Sequence, residues 1–222
     1  MRLFVDQNFG KQLVKIADVE ISVMNGTVSG EKELSKRDKK PSTYRRVVTG
    51  NVNGKSVVQS DEPLLAYEFK TAPGYEHIFM WLNPAIPDLS NEQRCDRYPD
   101  SVVPGPGGTS LHFVKFPPGS VFADPSFDGE AARNEALVRL RGLADQFEKE
   151  DPAMHQTNTV DYAVVYGGEI WLESDDGETL HLNRGDVVVQ NGTRHAWRNR
   201  GSNPVTMLFF LNGARTRETR QA

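Results

Sequence analysis

Two short polar clusters hold the residues of this chain best suited to chemistry. The first is His155, Thr157 and Asp161; the second is Gln190, His195 and Asn199. Imidazole exchanges protons near neutrality and is a common metal ligand. Two imidazoles and a carboxylate make the donor set of a facial metal triad, which leaves positions open for substrate or O2. Without a metal, either histidine is a general base, and Asp161 orients it or shares its proton. Thr157 is a poor ligand, but it can hydrogen-bond a metal-bound water or a substrate. Gln190 can support the site from behind.

These side chains act together only if the backbone aims them at one place. Alternate residues of a strand share a face. His155 and Thr157 therefore point together, as do Asp161, Ala163 and Val165, and as do His195 and Trp197. If that face is an interior, two imidazoles and a carboxylate meet among apolar side chains. Burying Asp161 alone is costly, and a cation or a histidine partner would offset the cost. Trp197 could stack on a planar substrate. His112 shares a face with Val114 and is a further cavity candidate. Tyr162 and Tyr166 fall on the opposite face from Asp161. Trp171 reads as core and His181 as solvated. His77 belongs to no constellation. Arg45 and Arg46 read as surface ion-pair residues.

Short strands with turn residues between them are predicted at 161–166, 169–173, 179–182, 186–190, 195–199 and 205–211. Upstream, 47–49 and 56–59 flank a hairpin turn at 51–54. Residues 64–71, 77–82 and 110–116 read as further strands. Residues 83–109 are a Pro- and Gly-rich loop that crosses the surface or caps a mouth. One stretch departs from this pattern. Residues 128–150 have a helical apolar period, predicting an amphipathic helix of about five turns that packs on the flank, with a lid as the alternative. Residues 1–30 suggest a short strand or arm, and 31–43 a charged linker.

The chain has 222 residues, a net charge of −4 and 25% charged residues. It is long enough for one domain with a sizeable core. The basic run Lys36, Arg37, Lys39 and Lys40 reads as a solvated loop, and the arginines from Arg215 to Arg220 as a polar tail. Neither predicts a nucleic-acid partner. The single cysteine, Cys95, excludes an intrachain disulfide and fits a reducing compartment. It reads as an inert loop thiol. No apolar run is long enough to span a bilayer and the N-terminus is too polar for a signal peptide, so a cytoplasmic protein is expected. No phosphate-cradling loop, nucleophile elbow or Cys–His pair is present, so no nucleotide or organic cofactor is expected.

The stretch 154–211 resembles the cupin superfamily. The second cupin motif is matched by Gly185, His195 and Asn199, with Gln190 in its proline slot and a first gap one residue short. The first motif is degenerate: His155 is present, Thr157 takes the second histidine slot and Asp161 the glutamate slot. The resemblance implies an all-β fold, a cupin-type antiparallel jelly-roll β-barrel, carrying an N-terminal strand extension and the inserted helix. The expected organisation is a single domain: arm and linker at 1–43, accessory strands and long loop at 44–109, and the barrel at 110–214. The pocket is expected in the barrel mouth, with His155, Asp161 and His195 holding a divalent Fe, Mn, Ni or Zn ion. Thr157, Gln190, Trp197 and His112 would contact a small-molecule substrate. The leading expectation is metal-assisted lyase, decarboxylase or isomerase chemistry in secondary or catabolic metabolism. The alternatives are a metal-free acid–base enzyme, an iron-dependent oxygenase and a non-catalytic binding barrel. A homodimer formed by strand exchange is also expected.

Overall fold

The computed structural model describes residues 42–89 and 98–215. The arm, most of the linker, the basic run at Lys36 to Lys40, Cys95 and the tail beyond Arg215 lie outside the described residues. No helix among the described residues is long and apolar enough to cross a membrane.

The described residues form eleven strands and one α-helix, and every paired strand is antiparallel. In order these are β1 (Thr43–Val52), β2 (Lys55–Leu65), β3 (Tyr67–Glu68), β4 (Glu76–Asn83), β5 (Thr109–Phe116), α1 (Gly129–Arg139), β6 (Thr159–Gly167), β7 (Glu169–Glu173), β8 (Thr179–Asn183), β9 (Val187–Asn191), β10 (Ala196–Arg198) and β11 (Val205–Gly213). A six-stranded sheet runs β3-β4-β5-β11-β6-β9, and a three-stranded sheet runs β10-β7-β8. The sequence placed β3 and β4 outside the barrel. They belong to its main sheet, because β4 pairs with β5 along its length.

The core follows from strand alternation. Ala163 and Val165 of β6 and Val205 and Met207 of β11 meet Ile170, Leu182 and Trp197 of the smaller sheet. Ile170 and Met207 are fully buried, each contributing about 1.5–3 kcal/mol by removal from water. The hairpin β1–β2 is a separate two-stranded sheet. Its turn puts Asn53 at φ 52° and Gly54 at φ 77°, the positive pair that a tight two-residue turn requires. Tyr44 and Leu64 of the hairpin pack on the cluster of Ala66, Ile78 and Met80, beside Leu111 and Phe113. This covers the outer face of β4 and β5 and leaves their other face for the interior.

The helix is shorter than its apolar period predicted. Helix α1 has 11 residues, capped at its start by Asp128, whose carboxylate accepts from the Ala131 amide. It ends at Leu140, and Gly142 follows at φ 77° against Ser101, where a Cβ would meet the Ser101 Oγ at 2.1 Å. A glycine in the left-handed region just past the last turn is a helix stop. The chain resumes as a 3-10 turn at Ala144–Gln146. Nor is the helix confined to a flank, since Ala132, Arg133 and Ala136 form part of a cavity wall.

Candidate active site

A cavity of about 910 Å³ opens among the inner strand faces, the 117–122 segment and helix α1. His155, Thr157, Asp161, His195, Trp197 and His112 all line it, together with His77. The structure thus gathers six of the seven site residues read from the sequence.

His155 and His195 are brought together by the backbone. Each amide donates to the other's carbonyl at 2.9 Å, and the ring centroids lie 4.4 Å apart. His155 Nδ1 is 3.1 Å from the Ala153 carbonyl, and His195 Nδ1 is 2.9 Å from the Thr193 carbonyl. A carbonyl only accepts, so both Nδ1 atoms carry the proton and both Nε2 atoms keep a lone pair. Burial, with the neighbouring His195 adding to it, pulls the His155 pKa down to about 4. Burial also lowers that of His195. Both rings are therefore neutral at pH 7, with Nε2 ready to take a proton.

Asp161 sits on β6 opposite Gln190 of β9 and Leu211 of β11. Its Oδ1 is buried without a hydrogen-bond partner among the described residues. Burial raises its pKa to about 6, partly opposed by the Thr159 hydroxyl. The sequence cast Asp161 as the residue that orients a histidine. The backbone carbonyls of Ala153 and Thr193 take that role instead, leaving the Asp161 carboxyl independent. Thr157 turns its hydroxyl to Thr159 at 2.7 Å. Trp197 packs edge-on against His195 and Phe209.

Gln190 departs from its expected role. Its side-chain amide donates to the Thr193 carbonyl at 3.1 Å and to the Thr193 hydroxyl, and it does not line the cavity. It braces the turn that carries His195. Asn199 is likewise a clamp. Its side-chain amide donates to the Phe116, Pro117 and Asn203 carbonyls, while its Oδ1 accepts from the Gly201 amide. Trp171 is not core: it stacks on His181 at 4.3 Å, and His181 bonds Glu169 on the exposed side. Arg45 forms the surface pair expected of it, with Asp61, but Arg46 is mostly buried: it pairs with Glu62, donates to the Met80 carbonyl and lies over the Trp81 ring.

His77 is the cavity residue that sequence reasoning missed. It lies on β4, and its Nε2 is 3.0 Å from His112 Nδ1. His112 Nε2 meets the Ser110 hydroxyl at 2.8 Å, and that hydroxyl donates to the Val102 carbonyl. Burial lowers the His77 pKa to about 4 and that of His112 well below its ordinary value. The alternation of β5 gave half of this pair. The other half needs the β4–β5 register, which a single sequence does not state.

The cupin resemblance raises the question of a metal. Two imidazoles with free Nε2 atoms suit one. Yet among the described residues no three His, Cys, Asp or Glu side chains come together as a metal-holding group. Asp161 does not join the histidine pair, so the residues present do not fit the triad of His155, Asp161 and His195.

Two antiparallel sheets around an inward-facing histidine pair define a jelly-roll barrel. No family model matches the chain. Oryzines biosynthesis cluster protein J of Aspergillus oryzae is 27% identical over 77% of this chain and 82% of its own. Phomopsin biosynthesis cluster proteins C' and D of Diaporthe leptostromiformis are 60% identical over 58 residues, 26% of this chain. That match spans only 31% of each relative's length. Cupin-domain-containing oxidoreductase virC of Hypocrea virens is 38% identical over 26% of this chain and 31% of its own. An RmlC-like cupin family structure from Methanocaldococcus jannaschii is similar over 51% of this chain and 76% of its own, at 14% identity and a TM-score of 0.31. Its sheet order and its Gly185, His195 and Asn199 motif are those of a cupin-type barrel, and the chain is similar over part of its length to proteins named for a cupin domain.

Proposed function

We propose that this protein is a small-molecule enzyme of a biosynthetic cluster, working by metal-free acid–base chemistry in the barrel cavity. The observation that carries this reading is the pair His155 and His195, each Nδ1 pinned to a carbonyl and each Nε2 left as a base. One of them takes a proton from an acidic C–H or O–H of the substrate. The rings are too close for both to be charged together, so the pair acts as a single base. Asp161, held neutral below about pH 6 by burial, returns a proton to a leaving or rearranging oxygen. Loss of water, ring closure and isomerisation all balance with that one proton removed and one returned. The names of the relatives support a role in secondary metabolism.

The experiment is solvent-deuterium incorporation into aryl-substituted 1,3-dicarbonyl carbon acids, followed by mass spectrometry. Wild type is expected to exchange the acidic C–H faster than His155→Ala or His195→Ala. Equal exchange by all three proteins refutes the base assignment.

A second reading, as an oxidoreductase, is favoured by the names of relatives such as virC. It requires an oxidant, so net consumption of O2 or of an added electron acceptor during turnover separates it from the first.

A further inference from the structure

Arg133 lies on helix α1, half-buried, with its side chain in the cavity wall. The other two arginines of that wall are engaged. Arg198 pairs with Asp151 and with Glu173, and Arg200 approaches Glu173 at 3.9 Å. Arg133 forms no ion pair among the described residues. Positions 129 and 137, one turn away, are Gly129 and Leu137, and Glu130 does not reach it. Glu135, two residues on, is turned away to the Tyr67 hydroxyl and the Thr71 amide. A guanidinium on an apolar wall keeps its charge and has five donors to satisfy. The same cavity is lined by Phe116, Phe127, Phe147, Trp197 and Phe209, and its carboxylates Asp151 and Glu173 are paired with Arg198. Such a wall selects a large planar apolar body and offers it one cationic contact.

We propose that Arg133 reads an anion, and that the molecule processed here carries a carboxylate on an aromatic or otherwise planar apolar skeleton. This rests on the reading of the cavity as the reaction site. The anion is held by the helix, while the proton-transfer groups come from the His155–His195 bridge and from β6, so recognition and chemistry come from separate elements. Arg133 is a specificity-determining residue, not part of the acid–base pair.

Two fluorescent probes sharing one body test this: pyrenebutyrate, which has the carboxylate, and pyrenebutanol, which does not. Their affinities are compared by anisotropy in wild type, Arg133→Gln, Arg133→Lys and Ala136→Trp, the last of which puts a bulky ring into the cavity one turn from Arg133. Arg133→Gln is expected to weaken pyrenebutyrate by about ten-fold or more, the worth of a charge-assisted hydrogen bond. It should leave pyrenebutanol unchanged. Arg133→Lys is expected to retain most of the preference, and Ala136→Trp to weaken both probes. Equal effects of Arg133→Gln on the two probes overturn the proposal. So does binding that Ala136→Trp does not touch. The deuterium exchange is read separately. If wild type fails to exchange but the probe preference depends on Arg133, the acid–base reading falls and the anion site stands.

Discussion

His77 and His112 share one hydrogen bond whose direction is fixed by a third residue. The Ser110 hydroxyl donates to the Val102 carbonyl, so it can only accept from His112 Nε2. His112 Nδ1 then has a lone pair and accepts from His77 Nε2 at 3.0 Å. The remaining nitrogen, His77 Nδ1, faces the Tyr98 hydroxyl at 3.3 Å, and that hydroxyl also donates to the carbonyl of Arg139 at the end of α1. A buried array of this kind works only while both rings are neutral.

Acid should therefore unfold the protein from within. His77 has its pKa lowered to about 4, so the unfolded chain takes up a proton between pH 6.5 and 4 that the folded chain refuses. Its contribution is complete above pH 6.5 and is lost as the pH falls toward 4, on the order of 3 kcal/mol. His77→Gln, which cannot be protonated, is expected to flatten the pH dependence of urea unfolding over that window. An unchanged slope would remove His77 from the acid response. His112→Ala opens a void and strands the His77 donor, so a loss of about 2–4 kcal/mol is expected at pH 7.

Asp161 runs the opposite way. Its folded pKa, about 6, lies above the ordinary carboxylate value, because burial disfavours the charge. The neutral form fits the fold, so its contribution is full below about pH 4 and is lost as the pH rises through 6. Asp161→Asn is nearly isosteric and never charged. It is expected to gain about 3 kcal/mol over wild type at pH 8 and to match it near pH 4. Unfolding titrations at the two pH values check this. A variant less stable than wild type at pH 8 would mean that the Asp161 carboxylate has a partner.

The strands around these groups were readable because short β-branched runs alternate and end in turn residues. β7 runs over the residues predicted for it, and β5, β6, β8, β9, β10 and β11 differ from expectation by one or two residues at their ends. The histidine pair was readable through the cupin resemblance, which implies that the histidines of the two motifs converge. Three things were not. The helix stop depends on Gly142 meeting Ser101, a contact between distant segments. The role of Gln190 depends on where the loop to His195 turns back. The place of His77 depends on sheet register. Local pattern says which residues share a face, but it does not say which faces meet.

Helix α1 is strapped by one carboxylate. Glu135 accepts from the Tyr67 hydroxyl, the Lys70 amide, and the Thr71 amide and hydroxyl. Burial alone would push its pKa up, but these donors outweigh it and hold the group at about 2. Glu135→Ala leaves them unpaired beside the cavity wall. The expected outcome is a destabilisation of about 2–3 kcal/mol, with faster amide exchange confined to α1 and residues 67–75. Protection lost evenly across the barrel would show that the helix is not a separate unit.

The metal question reduces to the third ligand. His155 and His195 offer two lone pairs, but a catalytic metal normally takes three protein ligands, and Asp161 does not complete the set. Purified protein is therefore expected to hold less than stoichiometric Fe, Mn, Ni or Zn. Deuterium exchange should survive a chelator, proceed at full rate between about pH 4 and 6, and fall as Asp161 ionises above that. Replacing Thr157 with His puts an imidazole into the empty slot of the first cupin motif. Thr157→His is expected to raise metal content, and His195→Ala in that background to abolish it. Stoichiometric metal in the wild type, lost together with exchange in His195→Ala, would return the site to metal-assisted chemistry. Asp161 would then have to move toward the pair when the ion binds.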